Sequence, residues 1–100
     1  MLRITIHDAA STQTIQVEGK IAGPWREEFD RVWRELEPSL GSKKLQLDLR
    51  GVGFVDALGR QLLREIYQLT KASFLANSPL TQYFAEDAMR YPPSDEEEGA

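Results

Sequence analysis

Apolar residues recur along this chain with two different periods, and the switches between them predict its architecture. Leu2, Ile4 and Ile6 alternate with Arg3 and Thr5, the two-residue period of a strand with one buried face. Asp8-Ala9-Ala10-Ser11 reads as a turn. Residues 12–18 alternate again, Ile15 and Val17 inward, so the first two strands form a hairpin that Gly19 ends. Gly23-Pro24 marks a helix start, with glycine at the N-cap and proline in the first turn, where its missing N–H costs nothing. Trp25, Phe29, Val32, Trp33 and Leu36 follow at the 3.6-residue spacing and are assigned to the core, both tryptophans included. On the charged face, Glu27 with Arg31 and Asp30 with Arg34 stand four apart in the favourable order, and Pro38 closes the helix.

Leu45, Leu47 and Leu49 alternate with Gln46 and Asp48 as a third strand, and residues 51–55 read as a tight connection out of it. Asp56 is placed to cap a second helix, with Leu58, Leu62, Leu63, Ile66 and Leu69 as its buried stripe. Residues 72–76 form a short apolar strand. Asn77-Ser78-Pro79 restarts a helix that turns Leu80, Tyr83, Phe84 and Met89 toward the sheet. The order β-β-α-β-α-β-α predicts an α/β domain over residues 1–91. Its four-stranded sheet is mixed and mainly parallel, an antiparallel hairpin followed by right-handed crossovers with packed helices. Residues 92–100 carry no large apolar side chain, which predicts a disordered acidic tail.

Composition narrows the function more than it shapes the fold. A chain of 100 residues, 41% hydrophobic and 28% charged, supports one core. The absence of cysteine excludes a disulfide framework, a thiolate nucleophile and a thiolate metal site, and fits a reducing compartment. No apolar run is long enough to insert into a membrane, so a cytoplasmic location is expected. The net charge of −4 owes much to residues 95–98, and Lys43-Lys44 is too short for the basic stripe of a nucleic-acid binder.

Candidate chemistry is sparse. His7 is the single histidine and stands at a strand end without an evident partner, so it reads as a surface residue. The carboxylates lack the spacing of metal ligands; Asp48 reads as a solvated carboxylate and Asp56 as a cap. Gly51-Val52-Gly53-Phe54-Val55-Asp56 lacks the third glycine and the lysine of phosphate-binding loops. No catalytic residue, cofactor or metal is therefore expected. Arg60 and Arg64 share one side of the second helix, a solvated pair or a contact for a partner.

The stretch Leu45-Gln46-Leu47-Asp48-Leu49-Arg50-Gly51-Val52-Gly53-Phe54-Val55-Asp56-Ala57-Leu58-Gly59 resembles the signature of the STAS domain, the fold of bacterial anti-sigma factor antagonists. Residues 18–21 and 76–79 also sit where that family places similar segments, and the resemblance covers about residues 1–90. In the family, the Ser or Thr directly after the loop aspartate is phosphorylated by a partner kinase, which breaks the complex. Here that position is Ala57 and the next is Leu58, so the acceptor is missing; Asp56 and Gly59 carry over, and Arg60 replaces a commonly apolar residue. The resemblance implies a non-catalytic interaction module without a phosphorylation switch. Its expected contacts are Gly53, Phe54, Asp56, Ala57, Leu58, Gly59, Arg60 and Arg64. The partner it implies is an anti-sigma kinase or a protein of a sensory assembly. An accessory subunit of an ABC lipid transporter, bound to the ATPase, is the alternative, and a small nucleotide- or metabolite-binding protein the second alternative. Self-association into a homodimer stays open.

Overall fold

The computed structural model describes residues 1–90; Tyr91 and the expected acidic tail at 92–100 lie outside the described residues. The hairpin forms as its alternation predicts. β1 (Leu2–Asp8) pairs antiparallel with β2 (Thr12–Ile21), Ile4 opposite Val17 and Ile6 opposite Ile15. Gly19 does not end the second strand, and residues 51–55 are not a connection. β2 runs on to Ile21 beside a long β3 (Lys44–Val55), in parallel pairing that continues through Gly19 opposite Val52 and Ile21 opposite Val55. Glycine-bearing segments signal a break when read alone. Here they lie against each other, and two register shifts absorb the irregularity without ending the ladder.

The sheet order is β1-β2-β3-β4, and β4 (Ser73–Leu75) pairs in parallel with residues 46–48 of β3 only. The crossovers β2–α1–β3 and β3–α2–β4 each step one strand in the same direction. Right-handed connections therefore lay α1 (Pro24–Leu36) and α2 (Ala57–Thr70) on one face. Between that face and the helices lie Ile15, Val17, Leu47 and Leu49 with Phe29, Trp33, Leu63 and Ile66, all buried. The other face is polar: Thr14 Oγ1 donates to Gln46 Oε1 at 3.1 Å, and Arg3 stands 3.7 Å from Glu18.

Helix periodicity located the helices but overstated what they bury. Trp33 is buried, whereas Trp25 is 41% exposed, because it sits in the first turn of α1, beyond the part of the helix that crosses the sheet. Leu58 and Leu69 fall at the two ends of α2 and are exposed for the same reason; Leu62, Leu63 and Ile66 between them are buried. α3 (Pro79–Met89) is turned differently from expectation. Phe84 is inside, but Leu80, Tyr83 and Met89 are exposed, and Thr81, Ala85, Asp87 and Ala88 take the inner positions. Ser78 and Thr81 form a reciprocal capping box that holds the hydroxyl of Thr81 inward, and Asp87 is drawn to the arginines of α2. On α1 the pair Asp30–Arg34 closes at 2.7 Å, but Arg31 takes Glu28 at 2.6 Å and Glu35 at 3.1 Å instead of Glu27. Among the described residues no helix is long and apolar enough to cross a membrane.

Candidate functional site

At the end of the molecule where α1 and α2 begin, one carboxylate organises both starts. Asp56 Oδ1 accepts from the backbone N–H of Gly59 at 2.7 Å, the N-cap bond of α2. Oδ2 accepts from the backbone N–H of Gly23, the N-cap residue of α1, at 3.2 Å. The backbone N–H of Asp56 in turn donates to Ile21 O at 3.2 Å, tying the end of β3 to the end of β2. Gly23 has φ 56°, the left-handed region that glycine enters without strain, which lets the chain leave β2 and turn into α1 within two residues.

Gly59 has a steric role. A Cβ there would lie 2.5 Å from Ile21 O and 2.8 Å from Val55 Cγ1, so only glycine lets α2 press against the strand ends. Gly53 differs: a Cβ there meets nothing within 4 Å, and no positive φ requires glycine. It leaves the backbone bare beside an exposed ring.

Around this stitch stand three exposed apolar side chains. Phe54, two residues before Asp56, is 49% exposed; Leu58, two residues after it, is 54% exposed; Trp25, two residues after Gly23, is 41% exposed. Ala57 is exposed as well. Phe54 lies opposite Lys20 in the β2–β3 ladder, which gives the apolar group a cationic border. The position that holds a hydroxyl in the resembled signature thus points outward and carries a methyl group.

Arg60 and Arg64 do not share that surface. Arg64 Nη2 donates to both carboxylate oxygens of Asp87, at 2.9 and 3.0 Å, and its Nε reaches Asp87 O at 3.4 Å. Arg60 Nη1 donates to Val55 O at 3.3 Å while its Nε stands 3.9 Å from the same aspartate, and Arg90 approaches at 3.6 Å. Asp87 is buried, so these arginines hold α3 on α2 instead of standing free as a solvated pair. No spacing rule pointed to Asp87, because its partners lie 23 and 27 residues earlier in the chain.

Asp48 also departs from expectation. It is buried, and Arg50 encloses it with Nε and Nη2 at 2.9 Å and the backbone N–H at 3.1 Å. That hydrogen-bonded guanidinium holds the Asp48 carboxyl below the usual carboxylate range, against the opposing effect of burial. His7 is exposed and its Nε2 meets Gln16 Oε1 at 2.7 Å.

No family model and no curated protein matches the chain. Solved structures do. An uncharacterized protein from the DUF3478 family with a SpoIIAA-like fold, from Shewanella loihica, superposes with a TM-score of 0.58 at 12% identity, over 92% of this chain and 80% of that one. A crystal structure of Mglu gives a TM-score of 0.58 at 19% identity over 75% of this chain, which spans only 19% of that longer protein. The fold is accordingly SpoIIAA-like, a single α/β domain with a four-stranded mixed sheet, as the order of elements led one to expect.

Proposed function

We propose that this chain is a non-catalytic protein-interaction module whose partner surface is the end where α1 and α2 begin. The observation that carries the reading is the exposure of Phe54, Leu58 and Trp25 around a rigid stitch. Of the large apolar side chains exposed among the described residues, these three flank the two helix starts that Asp56 ties together. Interfaces draw their energy from such centrally placed aromatic and aliphatic side chains on a preorganised frame. Asp56 supplies the frame, and Ala57 with bare Gly53 keeps the contact dry and close. Arg60 and Arg64 act behind the surface by fixing α3, so the contact set narrows to Gly53, Phe54, Ala57 and Leu58, with Trp25 added.

A partner that docks here is not released by phosphorylation of the docking edge, because residues 53–60 contain no hydroxyl. The partner class is a regulatory or assembly protein with an apolar pocket, of the kind that anti-sigma kinases, sensory assemblies or transporter ATPases offer to STAS-like modules. Affinity capture from the native host with wild type, Leu58→Asp and Phe54→Asp tests the reading. One or more proteins held by wild type are lost with both variants; equal recovery with all three baits sinks it. Mass spectrometry after incubation with host kinases and ATP finds residues 53–60 unmodified.

A further inference from the structure

The two edges of the sheet are protected very differently. β4 is only three residues long, a length that offers little to pair with, while β1 runs for seven residues at the opposite edge. β1 has no proline, no bulge in its pairing with β2 and no charged side chain on its inner face before Asp8. Among the described residues no strand lies against its outer side.

Which backbone groups face outward follows from the hairpin. The N–H of Lys20 bonds Met1 O, and the N–H of Ala9 bonds Thr12 O, so the odd-numbered residues of β1 spend their backbone groups on β2. The N–H and C=O groups of Leu2, Ile4 and Ile6 therefore point away from the sheet. The same residues carry the apolar side chains of β1, with Ile6 40% exposed. Beside Ile6 a groove of about 230 Å³ runs along α1, lined by Val32, Glu35, Leu36 and Ser39.

We infer that this edge pairs with β1 of a second copy, antiparallel, about a two-fold axis at Ile4. An unpaired ladder accepts only an extended strand, and β1 is complementary to itself in one register. With the axis at Ile4, Leu2 faces Ile6 of the second copy and Ile4 faces its counterpart, so each pair exchanges both backbone bonds and all inner contacts are apolar. On the open face the same register sets Arg3 against Thr5 and leaves no like charges opposed. Moving the axis to Thr5 sets Leu2 against Asp8 and Arg3 against His7, an apolar–charged mismatch and a pairing of two basic residues.

The dimer forms one continuous sheet and covers Ile6. Because the strands are antiparallel, the Phe54 and Leu58 surfaces of the two copies face opposite ends, so the module presents two working edges that do not obstruct each other. This pairing does not depend on what binds at those edges.

Analytical ultracentrifugation from micromolar to near-millimolar chain, with residue-resolved hydrogen exchange, tests the inference. Wild type shows a concentration-dependent dimer, and protection rises with concentration at the amides of Leu2, Ile4 and Ile6 but not at Arg3 and Thr5. Thr5→Arg faces Arg3 of the second copy twice and weakens dimerisation about tenfold, while Thr5→Glu strengthens it by a similar factor. Far-UV circular dichroism verifies that both variants are folded, so loss of structure is distinguished from loss of pairing. A monomer throughout the range overturns the inference and leaves the edge to a strand of another protein. Thr5→Arg and Thr5→Glu moving dimerisation in the same direction overturns it as well.

Discussion

Residues 53–64 read along the chain as one surface, but the structure divides them into two regions with opposite duties. From Gly53 to Leu58 the segment rims the starts of α1 and α2, with Phe54, Ala57 and Leu58 turned to water. From Arg60 to Arg64 it lies against α3, its guanidinium groups spent on buried Asp87 and on Val55 O. Gly59 sits at the boundary and is buried. The difference shows that exposure at a helix start is a matter of what stands opposite. α3 covers one side of α2, the strand ends cover Gly59, and Ala57 and Leu58 at its start stay exposed.

The sharpest way to break this division is at its boundary. Gly59→Val puts branched carbons where even a Cβ meets Ile21 O at 2.5 Å. It should cost about 3 kcal/mol, read as a fall in the urea midpoint, and should loosen both helix starts together. Arg64→Ala removes the bidentate partner of Asp87. A loss of about 1–3 kcal/mol is expected, moderated because Arg60 and Arg90 remain within 4 Å, and partner capture should persist at temperatures where the variant is folded. Asp56→Ala deletes the cap of α2 and the tie to Gly23 and should cost about 1 kcal/mol. Asp56→Asn keeps an acceptor oxygen and should recover most of that.

Acid gives a smaller handle, on the polar face of the sheet instead of at either region. The Asp48 carboxyl is held low by Arg50, so its charged form favours the fold. The stabilisation is complete above the unfolded carboxylate pKa of about 3.9 and is lost as pH falls through the lower folded value. Asp48→Asn should flatten the acid limb of a stability–pH curve. Part of the slope remains, because the Lys43 hydrogen bond holds Asp8 low in the same way. The smallest expected effect on stability is the most informative about function. Leu58→Asp and Phe54→Asp should shift stability by no more than about 0.5 kcal/mol while abolishing partner capture. Measurable destabilisation by either would reassign its side chain to the fold.

Sequence alone determined the element order, the N-cap positions at Gly23, Asp56 and Ser78, the mixed sheet and most of the strand core. Each of these rests on periodicity or on a residue acting on its immediate neighbours. It also showed that Ala57 offers no hydroxyl. Tertiary structure decided everything that needs a distant partner. Trp25 and Trp33 are eight residues apart on one helical stripe, yet only Trp33 has a sheet beneath it. Residues 51–55 look like a loop until β2 lies beside them, and Arg64 looks free until Asp87 arrives from α3. The second bond of Asp56, to Gly23 across 33 residues, belongs to the same class. Local propensity acts within a few residues, while burial and ion pairing depend on which surfaces the fold brings into contact.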